Sequence, residues 1–180
     1  MVIKELHTGR LTLRAITPEV YDYIYANMDD NSIIAFLGLA SEEALQKEKK
    51  KYRQGLATHN RKFINFLMID KQTHAIIGAC GFHTWFPDHR RAEIGYSLYN
   101  DIHKRKGLMT EALNAVLKYG FETMNLHRVE ALIGRENTAS LKLVSNFNFK
   151  QEGVLREHYV VNGIPEDSLA FSLLVHEFKG

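Results

Sequence analysis

The stretch His103-Lys104-Arg105-Lys106-Gly107-Leu108-Met109-Thr110-Glu111-Ala112 joins a basic, glycine-containing turn to the start of an amphipathic pattern. Over residues 108–124, apolar side chains recur at helical spacing. The first N–H groups of a helix lack carbonyl partners and carry partial positive charge, so they attract anions such as phosphate. Gly107 permits a positive φ or a close approach of the backbone to a ligand. This junction is therefore a candidate diphosphate site.

A strand is predicted immediately before the turn, over Ala92-Glu93-Ile94-Gly95-Tyr96-Ser97-Leu98, and Asn100-Asp101 separates it from the helix. Because side chains alternate along a strand, Glu93, Gly95 and Ser97 share one face. Ile94, Tyr96 and Leu98 share the other. The pattern leaves open which face would meet a substrate.

Composition favours one globular domain over residues 1–180, since hydrophobic residues make up 45% and charged residues 24%. No apolar run approaches the roughly 18 residues of a membrane-spanning helix. The first residues also lack the apolar core of a signal peptide. We therefore expect a cytoplasmic protein that does not bind membranes. The net charge of +2 is too small to predict nucleic-acid binding.

No metal site is predicted. The single cysteine, Cys80, has no partner for a disulfide and lies among apolar residues, so we interpret it as a core residue. The nine histidines do not show the i, i+4 spacing with a nearby acid that is typical of a helical zinc site.

The patterning predicts an α+β (α/β) domain with a mixed sheet. Thr17-Pro18-Glu19 and Ser41-Glu42-Glu43 each predict the start of a helix. Asn162-Gly163 predicts the turn of a terminal hairpin. Strands are expected over residues 10–16, 62–69, 75–84, 92–98, 128–133, 149–161 and 167–175, and two further helices over 108–124 and 137–146.

Six blocks in this order resemble the GNAT acetyltransferases, and specifically the RimJ/RimL-type branch, which acetylates protein N-termini and some small amines. The resemblance spans nearly all of the chain. The blocks are residues 8–14, 78–82, 91–96, 107–112, 137–140, and 149–157 with 167–168.

The resemblance implies a GNAT fold with a mixed central sheet of about six to seven strands flanked by about four helices. Two central strands would separate, and the co-substrate acetyl-CoA would enter between them, with no metal. The implied cofactor-binding residues lie on the 92–98 strand, in the basic turn and on the 137–146 helix. They are Ile94, Gly95, Tyr96, Ser97, Leu98, Lys104, Arg105, Lys106, Gly107, Leu108, Met109, Thr110, Asn137 and Ser140.

Acetyl transfer from a thioester to an amine needs a neutral amine, a stabilised carbonyl oxygen and a protonated or stabilised leaving thiolate. Glu93 is the candidate general base, with a pKa raised by burial. Alternatively, Glu93 pairs with a cation such as Arg90 or Arg91 and only stabilises its strand. The resemblance implies that a backbone N–H near Gly95 and Tyr96 holds the carbonyl oxygen, and the Tyr96 side chain is interpreted as a packing residue.

Many family members carry a tyrosine on the helix equivalent to residues 137–146, where it protonates the thiolate. Val144 occupies that position here, in agreement with the RimJ/RimL-type branch, which also lacks the tyrosine, and Ser140 becomes the candidate catalytic substitute. Asn137 lies one helical turn away and binds the cofactor, caps the helix or does both. The basic turn also departs from the family pattern, with Lys104 for Gln/Arg and Met109 for Gly/Ala.

The acceptor pocket is expected between the two N-terminal helices and the loop over residues 85–89. Trp85 and Phe86 are its candidate walls, or are ordinary core aromatics. The first hypothesis is an N-acetyltransferase that acts on a primary amine, such as a protein N-terminus, by direct attack in a ternary complex. The alternatives are an acetyltransferase for a polyamine, amino sugar or antibiotic, and a non-catalytic acyl-CoA-binding module. A homodimer is one expected assembly.

Overall fold

A computed structural model describes residues 1–56 and 62–180. Within that part of the chain, eight strands form one sheet and five α-helices flank it. The strands are β1 (Glu5–His7), β2 (Leu11–Ile16), β3 (Lys62–Asp70), β4 (Ile76–Phe86), β5 (Arg91–Leu98), β6 (Arg128–Gly134), β7 (Lys150–Val161) and β8 (Ile164–Leu174). The helices are α1 (Pro18–Asn27), α2 (Asp30–Leu37), α3 (Glu42–Arg53), α4 (Leu108–Glu122) and α5 (Thr138–Asn146).

The strand order is β1-β2-β3-β4-β5-β6-β8-β7. Among the neighbouring strands of the described residues, only β5 and β6 are parallel, so the sheet is mixed. This confirms the predicted fold class. The sheet has one strand more than expected, because three-residue β1 is too short to show an alternating pattern. The helix count also rises by one, because the two-turn helix α2 begins almost directly after α1.

Local capping signals act as the sequence predicts. The side chain of Thr17 accepts a hydrogen bond from the Val20 N–H at the start of α1, and Ser41 caps α3 in the same way. Asn162 and Gly163 both have positive φ, 52° and 83°, which matches the turn that joins two hairpin strands with the right twist. These three signals determine where α1, α3 and the β7–β8 hairpin begin.

Alternation along the strands divides the buried side chains between two cores. Phe66 and Met68 of β3 belong to the main core, which also contains the buried residues of α4 and α5. Leu67, between them, belongs to a second core under helices α1, α2 and α3. The sheet is therefore covered on both faces.

Candidate active site

The parallel strands β5 and β6 are paired at only three positions. These are Arg91 with Arg128, Ala92 with Val129, and Glu93 with Glu130. Beyond Glu93, β5 stays paired with β4, while β6 stays paired with β8. The two strands therefore separate after this point, and the backbone N–H and C=O groups on the β6 side of residues 94–98 have no β6 partner. We call this opening the strand gap.

Glu93 lies at the last paired position, where the strand gap begins. Its partner in register, Glu130, is neutralised by Arg91 (Nη1–Oε2 2.9 Å) and by Arg128 (Nε–Oε1 2.8 Å). Among the described residues, the side chain that approaches Glu93 as a possible ion-pair partner is the His83 ring, whose Nδ1 lies 3.7 Å from Glu93 Oε2. The alternative pairing with an arginine is not seen there, because Arg91 binds Glu130 and Arg90 binds Asn125.

Burial raises the pKa of the Glu93 carboxyl above its ordinary value, and nearby Glu130 raises it further. His83, His158 and a hydrogen bond with Thr84 act in the opposite direction without reversing the shift. A carboxylate with a raised pKa is a stronger base than an exposed glutamate, so Glu93 has the property that proton removal from an ammonium group requires.

The structure resolves which face of β5 meets open space. Ala92 and Ile94 are buried in the main core, whereas Gly95, Tyr96 and Ser97 line a cavity of about 760 Å³. The face that carries Glu93 therefore points toward the cavity side. Side chains from α1, α2, α3, β3 and β4 form the rest of the wall.

Two glycines make the cavity floor flat. Gly81 and Gly95 are opposite each other in the β4–β5 register. A Cβ atom on Gly95 would lie 2.8 Å from the His83 ring, so a side chain there would displace that ring. His83 both lines the cavity and approaches Glu93, which connects the cavity with the carboxylate. The sequence analysis missed His83, because only the register places it beside Glu93.

Trp85 and Phe86 are placed at the end of β4 rather than in a loop. Trp85 packs against the main core, with its Nε1 buried and without a hydrogen bond. The Phe86 ring lies 4.4 Å from the Arg91 guanidinium carbon. Neither residue lines the cavity described above, whose aromatic walls include Tyr21 and Phe63 instead.

The basic turn ends in a helix terminus that no side chain caps. Gly107 is the N-cap residue of α4 with φ 73°, and Arg105 also has a positive φ of 60°. The N–H groups of Leu108, Met109 and Thr110 therefore begin the helix without a side-chain acceptor at the cap. The turn has the backbone features of an anion site.

The two residues of this turn that depart from the family pattern, Lys104 and Met109, lie in different surroundings. Lys104 pairs with Asp101 (Nζ–Oδ1 2.5 Å) on the exposed surface. Met109 is partly buried and packs against the main core.

Arg10 holds the basic turn from the other side. Its Nη1 donates to the Lys106 carbonyl at 2.8 Å, and its Nε lies 2.7 Å from Glu111 Oε2 in the first turn of α4. Glu111 also accepts a hydrogen bond from Thr8. Arg10 is the second residue that the sequence analysis missed, since about a hundred residues separate it from the turn it contacts.

On α5, Asn137 caps the helix by accepting a hydrogen bond from the Ser140 N–H at 3.1 Å. Ser140 lies beside the Tyr96 hydroxyl, so these predicted residues from α5 and β5 are brought together. Val144 is fully buried. Asn148 follows the end of α5 and has φ 60°, in the left-handed conformation that asparagine tolerates.

Across the described ranges 1–56 and 62–180, no helix is long and apolar enough to span a bilayer. In the same ranges, histidine, cysteine and acidic side chains do not gather into a group of three or more that could hold a metal.

Comparison with known proteins agrees with this arrangement. The acetyltransferase (GNAT) domain family matches residues 10–150. The chain is 34% identical over 185 residues to the uncharacterized N-acetyltransferase p20 of Bacillus licheniformis, covering 99% of this chain and 100% of the relative.

Two solved structures are similar in fold. The ribosomal-protein-S5-alanine acetyltransferase of Vibrio fischeri aligns with a TM-score of 0.68 at 23% identity, covering 98% of this chain and 100% of that one. An F149A mutant of the spermidine N-acetyltransferase of Vibrio cholerae aligns with a TM-score of 0.70 at 24% identity, covering 94% and 98%.

The fold and the strand gap define an acyl-group transferase of the acetyl-CoA type. The chain belongs to the GNAT acetyltransferase family, and it is an N-acetyltransferase. The predicted family is thereby confirmed.

Proposed function

We propose that the protein transfers the acetyl group of acetyl-CoA to the primary amine of a peptide N-terminus by direct attack in a ternary complex. The observation that carries this proposal is the position of Glu93. It is a carboxylate with a raised pKa and no arginine partner among the described residues, and it lies where β5 and β6 separate.

The residues present fit acetyl-CoA. Its diphosphate needs several converging donors, which the uncapped start of α4, Gly107 and the side chains of Lys104, Arg105 and Lys106 supply. Its pantetheine amides need backbone partners, which residues 94–98 offer along the strand gap. Asn137 and Ser140 lie at the start of α5, the helix that follows β6. When bound, acetyl-CoA supplies the activated acetyl group.

The chemistry assigned to the protein is proton removal and charge stabilisation. Glu93 takes a proton from the bound ammonium, directly or through water, which leaves a neutral nucleophile. A backbone N–H near Gly95 and Tyr96 stabilises the charge that develops on the carbonyl oxygen. His83 lies between the cavity and Glu93 and orients the carboxylate.

The acceptor class follows from the charges around the cavity. Among the described residues, Glu48 is the single carboxylate in its wall, and Lys51 (Nζ–Oε1 2.5 Å) and the Tyr21 hydroxyl already contact it. Lys62 adds a further positive charge. Residues 57–61, which lie outside the described ranges, contain no Asp or Glu. A polyamine carries several positive charges that need carboxylates, so this cavity favours a single amine on a largely apolar or anionic body, such as a peptide.

The test is CoA release, measured with thiol-reactive detection, against peptides with small or apolar first residues and against spermidine. We expect the peptides to give turnover well above that with spermidine at equal concentration. Higher turnover with spermidine would select the small-amine alternative. CoA release that no amine stimulates, together with tight acetyl-CoA binding, would select the non-catalytic binding module.

Assembly and location remain proposals alongside this function. Val160 and Ile164, near the tip of the β7–β8 hairpin, are 69% and 65% exposed. A second copy of the chain would bury such apolar side chains, which supports a homodimer. A cytoplasmic location and the lack of nucleic-acid binding stay predictions from composition.

A further inference from the structure

The Tyr96 hydroxyl is a buried polar group whose oxygen is shielded from solvent. Ser140 lies near it, but among the described residues neither Ser140 nor any other group makes a hydrogen bond of acceptable geometry with this oxygen. A hydroxyl left in this state destabilises a fold by about 1–3 kcal/mol relative to a satisfied one. Phenylalanine would fill the same space without that penalty, so packing alone does not account for a tyrosine at this position.

The position of this hydroxyl is specific. Tyr96 is opposite Cys80 in the β4–β5 register, on the side of β5 that faces the main core. The polar side chain that approaches its hydroxyl is Ser140 of α5, the helix that follows β6. The two hydroxyls thus come from elements on opposite sides of the strand gap. Tyr96 lies three residues along β5 from Glu93, beyond the last position at which β5 pairs with β6.

We propose that Tyr96 is the proton donor to the sulfur that leaves as coenzyme A, with Ser140 as its hydrogen-bonding partner. This inference rests on the proposed function, because it assigns a residue within the same acetyl transfer. This catalytic role differs from the sequence-based interpretation of the Tyr96 side chain as a packing residue. It also places the donor on β5, since Val144 on α5 carries no proton that it can give.

The nitrogen of the neutral amine forms a bond to the carbonyl carbon, and the bond between that carbon and sulfur breaks. The electron pair of the broken bond stays on sulfur, which takes the proton from Tyr96 Oη. The proton lost by the attacking nitrogen returns to the Tyr96 oxygen through the Ser140 hydroxyl or solvent. Glu93 holds the earlier proton from the ammonium and releases it to water.

The protonation state of Tyr96 suits this role. Burial raises the pKa of the Tyr96 phenol, while Ser140 partly opposes that rise by hydrogen bonding to the ionised form. The phenol is therefore protonated at neutral pH and is available as a donor. Ser140 stabilises the oxygen once the proton has left.

The first experiment compares Tyr96→Phe with Tyr25→Phe. Tyr25 is a matched control, because its hydroxyl is also buried without a hydrogen bond and it does not line the cavity. We expect Tyr96→Phe to lower kcat by about 10²-fold with KM for acetyl-CoA within about threefold of the wild-type value. Tyr25→Phe should leave both unchanged. Thermal unfolding should show both variants at least as stable as the wild type. Equal kcat in the two variants would overturn the proposal.

A second measurement does not need an acceptor. Calorimetry of CoA and of desulfo-CoA should show that the wild-type protein prefers the ligand with sulfur, and that Tyr96→Phe loses most of this preference. An unchanged preference would contradict contact between Tyr96 and sulfur. If instead no amine stimulates CoA release by the wild type while the preference holds, the proposed function fails and the contact stands.

Discussion

Glu93 and Glu130 occupy paired positions on two parallel strands, yet their surroundings differ. Glu130 is bound by two arginines, whereas the ion-pair partner within reach of Glu93 among the described residues is the His83 ring. The arginines neutralise one carboxylate of the pair, whereas burial raises the pKa of the other. Because the strands separate directly after this pair, the unneutralised carboxylate lies at the entrance to the strand gap.

Replacement of this carboxylate separates catalysis from binding. Glu93→Gln should lower kcat by about 10²-fold, since it removes the general base and keeps the shape. Acetyl-CoA affinity, measured by calorimetry, should stay close to the wild-type value. The variant should also unfold at no lower temperature, because the native state no longer holds a buried charge. Unchanged turnover would remove Glu93 from the mechanism.

The pH dependence of kcat also tests whether Glu93 acts as the general base. Glu93 must be ionised to act as a base, so activity falls as the pH drops through its pKa. Because that pKa is raised, the lower limb of the profile should lie above the ordinary glutamate value of 4.5. The residual kcat of Glu93→Gln should not show this decrease at low pH.

The left-handed conformation of Gly107 should control acetyl-CoA affinity. An added Cβ would meet Arg10 Nη2 at 3.5 Å, an ordinary contact, so the effect of Gly107→Val comes from its φ of 73° rather than from a clash. A side chain in this conformation costs about 1–2 kcal/mol, which corresponds to about five- to thirtyfold weaker binding if the turn changes shape.

Gly163→Val is the matched control, since Gly163 has φ 83° with open space around it in the β7–β8 turn. It should strain the hairpin and leave acetyl-CoA affinity intact. Equal affinity in Gly107→Val and Gly163→Val would show that the phosphates bind elsewhere.

Arg10 should affect the cofactor site without touching the chemistry. Arg10→Gln removes the hydrogen bond to the Lys106 carbonyl and the ion pair with Glu111. We expect KM for acetyl-CoA to rise about fivefold, from a loss of about 1 kcal/mol, with kcat unchanged. Arg14→Gln provides the comparison, because Arg14 of β2 pairs with Glu5 of β1 and not with the basic turn. A similar KM in both variants would argue against Arg10 as a support of the turn.

The ion pair between Arg128 and Glu152 should give a pH-dependent contribution to stability. Two hydrogen bonds from Arg128, and one from Ser172, lower the pKa of Glu152 to about 2. A lowered carboxyl pKa stabilises the native state fully above the unfolded-state value near 4.5, and this stabilisation disappears as the pH falls toward 2.

Because the side chain of Glu152 is 45% exposed, the contribution should be about 1 kcal/mol. Urea unfolding should show Glu152→Gln less stable than the wild type at pH 7, with a difference that shrinks below pH 4.5. The same change at Glu136, which is exposed and has no ion pair in the described ranges, should have no effect. A constant difference from pH 7 to pH 3 would contradict the pKa assignment.

The sequence predicted what local physical chemistry determines. Thr17, Ser41 and the Asn162-Gly163 turn act through neighbouring residues, so their roles were correctly predicted. The family resemblance also implied the separation of the strands that β5 and β6 show. Short β1 was missed because three residues carry too little pattern.

Features that depend on distant parts of the chain could not be predicted. The face of β5 that meets the cavity depends on where helices α1 to α3 pack. The contact between Arg10 and the basic turn joins positions that nothing in the sequence pairs. The meeting of Tyr96 with Ser140 likewise depends on how α5 packs beside the strand gap, and their spacing along the chain contains no signal for it.

A crystal structure of the protein with acetyl-CoA would show directly where the co-substrate binds. We expect the diphosphate on the first N–H groups of α4 after Gly107, the pantetheine along residues 94–98, and the thioester sulfur within hydrogen-bonding distance of the Tyr96 hydroxyl. Acetyl-CoA bound in another cleft, with β5 and β6 empty between Glu93 and Ser140, would contradict this expectation.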